Sequence, residues 1–203
     1  MAQNFAEFDD AAARLVWYRL EPRALLPDEP AVRARAAAAG FALPDDHVDF
    51  CRRFGAGAFE KRAVLPLPAG CPLGPHFWLD IVYAIGAKTD WDPVALWESS
   101  YAGRLPDGFL PAGTDPGGNL LLLDTRPGGA VYAWDHEHRE LRDGEFEQRV
   151  QDLASRGIAT GTLDVDQILL RWEREFPQQA RGNLYRVADS FAAAFAALQE
   201  ATF

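Results

Sequence analysis

Residues 109–138 read FLPAGTDPGGNLLLLDTRPGGAVYAWDHEH, and this stretch decides the fold class. The run Leu120-Leu121-Leu122-Leu123 is too apolar to lie on a surface. Pro127-Gly128-Gly129 follows, and its glycines can take the positive φ angles of a tight reversal. Ala130-Val131-Tyr132-Ala133-Trp134 then returns as a strand, in residue types that suit a pleated, half-buried surface. The stretch predicts two strands joined by a Gly-rich turn and closed by the titratable cluster Asp135-His136-Glu137-His138. Just upstream, residues 113–119 predict a tight turn in which Asn119 bonds its own backbone. That turn lacks the GK[ST] ending and the following helix of a phosphate loop. In the core, Trp134, Tyr132 and Leu121 are expected to be buried, with Phe50 and Phe54 among their neighbours.

Outward from the hairpin, helices are predicted on both sides. Residues 5–20 carry Phe5, Phe8, Ala12 and Leu15 at three- and four-residue spacing, which predicts an amphipathic helix ended by Glu21-Pro22. Residues 31–39 predict an Ala-rich helix, with Pro30 at its first position and Gly40 at its left-handed stop. A third helix begins at Pro44. Asp45, Asp46 and Asp49 stand near its start and Arg52 and Arg53 in its last turn, where their charges complement the helix dipole. Val48, Phe50, Cys51 and Phe54 are its core side, and Gly55 stops it. Residues 63–68 predict a short strand. Residues 77–83 fit a strand by composition. Asp92 followed by Pro93 predicts a capped short helix. Residues 145–156 and 165–176 predict two more amphipathic helices, the second capped by Asp164, and residues 187–199 a last helix. Helices, then strands, then helices predict an α+β fold with a largely antiparallel sheet.

Composition narrows the function. The chain has 203 residues, 48% of them hydrophobic and 12% aromatic, which suits one folded domain. No apolar run approaches the roughly 20 residues that span a bilayer. The start Met1-Ala2-Gln3-Asn4 lacks the basic residues of a secretory signal, so a cytoplasmic protein is expected. Cys51 and Cys71 have no CxxC spacing and predict neither a disulfide framework nor a zinc knuckle. The formal net charge of −10 disfavours nucleic acid and anionic membranes and favours a basic partner.

Two constellations invite a functional reading. On a continuing strand His136 and His138 share one face, and two imidazoles at that spacing could hold a metal, but a site needs a third ligand. Solvated polar residues at a strand end are the plainer reading, and neither metal nor cofactor is expected. Asp90-Trp91-Asp92 places a tryptophan between carboxylates in a loop, the composition of a hot spot for a basic partner. For Trp91 the core and the partner surface both stand open. Gly-x-Ser-x-Gly is absent, and neither cysteine has a recognisable His and Asp beside it.

The hairpin in detail, Leu110-Pro111 with Gly113, Asp115 and Gly117-Gly118-Asn119, an apolar strand closed by Asp124, then Val131-Tyr132, Trp134-Asp135-His136-Glu137, resembles the signature of the SUKH superfamily. Leu43-Pro44 with His47 and Phe50 resembles its helix start. Ala188 with Ser190-Phe191 and Phe195 resembles its closing helix. The family pattern tends to helix after residues 77–83. The resemblance implies one SUKH-like domain over residues 1–203: an N-terminal helical extension (1–29), a family-like region (31–198) and a helical insertion (145–178). The superfamily groups bacterial toxin-immunity proteins with a fungal regulator of cell-wall synthesis. It therefore implies a non-enzymatic binding protein, in bacteria one that neutralises a toxin, and the acidic charge suits a basic toxin domain such as a nuclease. A regulatory or scaffolding protein without a toxin, and a metal-dependent enzyme using His136 and His138, are the alternatives. The expected docking residues are Asp90, Trp91, Asp92, Asp115, Asp135 and Glu137.

Overall fold

The computed structural model describes residues 5–87, 90–136, 144–176 and 183–201. The quoted stretch forms three adjacent strands, β4 (Phe109–Thr114), β5 (Leu120–Asp124) and β6 (Val131–Trp134). Leu120 pairs with Trp134 and Leu122 with Tyr132 across the expected hairpin. Gly128 and Gly129 turn it at φ 115° and 60°. The preceding elements are α1 (Ala6–Leu15), β1 (Trp17–Arg19), α2 (Glu29–Ala38), α3 (Asp45–Arg53), β2 (Gly57–Pro66), β3 (His76–Val82) and α4 (Pro93–Glu98). After β6 come α5 (Glu145–Ser155), α6 (Val165–Glu175), β7 (Leu184–Ala188), α7 (Phe191–Ala196) and β8 (Gln199–Glu200). The strands make one antiparallel sheet in the order β1-β2-β3-β4-β5-β6-β7, with β8 added beside β2. The fold is α+β.

Because strand side chains alternate, the hairpin supplies two cores. Leu121, Leu123, Val131 and Ala133 join Phe8, Leu15, Phe50, Phe54, Phe191 and Phe195 from α1, α3 and α7. Leu120, Leu122 and Trp134 join Tyr83, Leu105 and Phe109, with Leu96, Tyr101 and Tyr132 packed around them. This corrects the expected core. Trp134 and Leu121 are buried, but only Leu121 shares a cluster with Phe50 and Phe54, and Tyr132 is half-buried. Leu153, Ile168 and Trp172 form a third cluster between α5 and α6, made of that segment's own residues.

Tertiary pairing overrides local pattern in three places. The first helix stops at Leu15 rather than near residue 20. Val16 adopts φ 60°, and Trp17 pairs with Phe59 as an edge strand. Arg19 donates to the carbonyls of Phe54 (2.9 Å) and Arg53 (3.2 Å), so β1 covers the end of α3. The last helix starts at Phe191 rather than 187, because residues 184–188 pair with β6 as β7. The strand fitted by composition at residues 77–83 is β3 (His76–Val82). The short strand expected at 63–68 begins at Gly57, and a register shift between Ala58 and Ala63 separates the part that pairs with β1 from the part that pairs with β8. Within residues 5–29, Phe8, Ala11 and Leu15 are buried in the main core.

Candidate functional site

The turn between β4 and β5 is built by Asp115. Its Oδ1 accepts from the Asn119 backbone N–H (2.8 Å) and its Oδ2 from Asn119 Nδ2 (2.7 Å). Backbone bonds Asp115 N–H to Asn119 O (3.0 Å) and Gly118 N–H to Asp115 O (3.2 Å) close the loop. The expectation that Asn119 bonds its own backbone is corrected: its side chain bonds Asp115 and His136 instead. Its Oδ1 accepts from the His136 backbone N–H (3.2 Å) and lies 2.9 Å from His136 Nδ1, which places that ring proton on Nδ1. Asp115, Asn119 and His136 thus form one chain of hydrogen bonds from the β4–β5 turn to the end of β6. Gly118 sits under the ring at φ 94°, where an added Cβ would meet His136 at 3.4 Å.

Asp135 belongs to the same end of the sheet but is buried. Its N–H donates to Asn183 O (3.1 Å), and its carbonyl accepts from Asn183 Nδ2 (3.1 Å), tying β6 to the start of β7. Tyr185 is near: burial raises its hydroxyl pKa, and the charges at Cys71 and Asp135 raise it further. Glu137 and His138 lie outside the described residues. Among the described residues no group of three or more His, Cys, Asp and Glu is placed to hold a metal ion.

The second half of the expected site lies elsewhere. Trp91 accepts from the Ala84 N–H (3.2 Å), beyond the end of β3, whereas Asp115 follows Thr114, which pairs with Ile81. Asp90 is exposed. Trp91 is half-buried and packs against both core clusters. The expectation of an exposed carboxylate at Asp92 is corrected: its Oδ1 accepts from Val94 N–H (2.9 Å) and Ala95 N–H (3.0 Å), its Oδ2 from Gly86 N–H (2.9 Å), and the residue is buried. Its carboxylate caps α4 and fastens the preceding loop. The structure therefore joins Asp115 and His136 through Asn119, with Asp135 preceding His136, and seats Trp91 beside Ala84, beyond the end of β3.

The sequence reading missed three buried polar residues on α3. Asp46, His47 and Asp49 are all buried. Asp46 Oδ2 accepts from Ala192 N–H (2.8 Å) at the start of α7, so it clamps one helix to the other. Helical spacing was the available signal, because Asp46, Asp49 and Phe50 stand at i, i+3 and i+4 and so share one helix face.

Compared with known proteins, residues 28–154, more than half of the chain, match the model of the SMI1 / KNR4 family (SUKH-1). No curated protein and no solved structure matches the chain.

Proposed function

The chain belongs to the SMI1 / KNR4 family (SUKH-1), and from that premise we propose that it is a binding protein with no catalysis of its own, an immunity protein that occludes a basic toxin domain. Membership over residues 28–154 is the observation that carries this reading, since the family is compatible with an immunity or a regulatory role. The net charge of −10 supports a basic partner, a nuclease being one toxin whose own surface must be basic to hold phosphates. The docking residues in this reading are exposed Asp90 and half-buried Trp91 and Asp115, with Glu137 a further acidic candidate from the sequence. Asp92 and Asp135 are left out because both are buried. An immunity role places the protein in the cytoplasm of the bacterium that makes the toxin. The discriminating experiment is co-expression with the toxin domain encoded beside its gene: rescue of growth together with a purified one-to-one complex supports immunity. A neighbouring toxin that still kills, and that does not bind, sends the reading to the regulatory alternative.

A further inference from the structure

The seam between α3 and α7 holds a titratable group that partner binding does not use. His47 is fully buried. Its Nδ1 lies 3.9 Å from Cys51 Sγ, and its Nε2 is buried without a hydrogen-bond partner. Phe191, the first residue of α7, packs against the imidazole edge-to-face at 4.8 Å between ring centres. The neighbouring Asp46 accepts from Ala192 N–H, so one turn of α3 both clamps α7 and carries the ring.

The charged and titratable groups around the ring are few. On α3 they are Asp46, Asp49 and the Cys51 thiol. Asp46 is engaged by the His47 and Ala192 N–H groups, and Asp49 by Arg53 at 2.9 Å. Residues Phe191–Ala196 of α7 contain no titratable side chain. Asp92, at the start of α4, reaches the site through its effect on Cys51. A proton on His47 would create a cation in an apolar seam, with both nearby α3 carboxylates already bonded elsewhere.

We propose that this seam is an acid-sensitive closure: neutral His47 keeps α7 docked, and a proton on His47 releases α7 and the strand after it while the central sheet stays folded. The local form of opening follows from the tethers. α7 has six residues and β8 only a two-residue ladder to Ala63 and Val64, whereas β5 pairs with β6 over four successive residues. Release therefore breaks few backbone bonds to the sheet, and its cost lies in lifting Phe191 and Phe195 off Phe8 and Phe50.

Burial lowers the ring's pKa from 6.5 to about 4. The open form, with a solvated ring, takes up the proton first. Closure is therefore unaffected above the ordinary value and weakens as pH falls from 6.5 towards 4. At pH 5 the closed form loses roughly 20-fold relative to pH 7.

Native-state hydrogen exchange tests this on the full chain. After correction for intrinsic rates, protection of the amides of residues 192–198 is expected to fall roughly 20-fold between pH 7 and pH 5. Protection of residues 120–123 is expected to hold. In His47→Gln the difference between the two pH values should vanish, and in Asp46→Asn it should persist. Equal protection of 192–198 at both pH values overturns the proposal. So does a pH response that survives His47→Gln and is lost in Asp46→Asn. Should His47→Gln not fold, the wild-type ring decides by NMR titration: a midpoint near 4 with α7 docked supports the closure, and a midpoint near 6.5 with α7 docked overturns it.

Discussion

Cys51 and Cys71 are the same residue type in two environments, and the fold separates their chemistry. Cys51 is fully buried, and burial pushes its thiol pKa up to about 12. Cys71 is half-buried in the loop after β2, and its thiol is raised less severely, again chiefly by burial. A thiol reacts as the thiolate. A disulfide reagent at pH 8 is therefore expected to titrate one equivalent in the native protein, none in Cys71→Ser, and two in denaturant. Two equivalents in the native state would contradict the buried position of Cys51. Asn119 supports a second expectation at this scale. Its side chain both donates to Asp115 and accepts from His136, so Asn119→Ala removes the link between the β4–β5 turn and the end of β6. The expected cost is about 1–2 kcal/mol, allowing for partial exposure, as the shift in a urea unfolding midpoint. Residue types such as Asp, Asn and His at a strand end announced a polar cluster. Their connectivity was not legible, because it depends on β4, β5 and β6 lying side by side.

Elements were legible wherever one local signal governed them. The β5–β6 hairpin follows from an apolar run, two glycines and an aromatic return, and α3 from charges placed at both ends of its apolar face. Helix limits at residues 15 and 191 were not, since helical spacing continues beyond them and only pairing with Phe59 or with β6 turns the chain into strand. The α5–α6 segment was read correctly as two helices, and the structure adds how they hold together. Asp164 and Gln167 form a reciprocal cap on α6, Trp172 Nε1 donates to Asp152 (2.9 Å), and the buried Leu153, Ile168 and Trp172 belong to the segment itself. On either side of it, β6 and β7 are antiparallel neighbours that a short link can join. Replacing residues 138–181 by a short Gly/Ser link is therefore expected to leave one cooperative transition, with Tm within about 4 °C of the parent, the shift that about 1 kcal/mol produces at this size. Loss of cooperative melting would mean that the two main cores depend on the α5–α6 segment. The same variant asks whether partner binding resides in the sheet or in the helices.

At the scale of the whole molecule, charge is the property most visible from sequence and least explained by the fold. Many cations are held by carboxylates close by: Arg53 by Asp9 and Asp49, Arg33 by Glu29 and Asp45, Arg35 by Glu98, Arg126 by Asp124 and Lys61 by Glu200. Half-exposed pairs of this kind add little stability, typically about 0–1 kcal/mol each. Their larger consequence is spatial. Twenty cations against thirty carboxylates leave a surplus of ten negative charges, and local pairing keeps those cations from screening it over distance. A field of that sign acts on the approach of a basic protein, over a screening length of about 10 Å at 0.1 M salt, more than on the packed complex. With the toxin domain as the binding partner, raising salt from about 0.02 to 0.3 M is expected to slow association at least several-fold and to change dissociation little. Asp90→Lys removes one exposed carboxylate and adds a cation without touching a core residue. It should slow association further while leaving Tm unchanged, because exposed substitutions shift stability by under about 0.5 kcal/mol. Trp91→Ala differs in kind, since Trp91 packs against both cores, and it should lower Tm whether or not the partner touches it. Surface plasmon resonance beside thermal melts reads both variants. Association that is indifferent to salt and to Asp90→Lys would detach the partner from the acidic surface and leave the α5–α6 segment as the place to look.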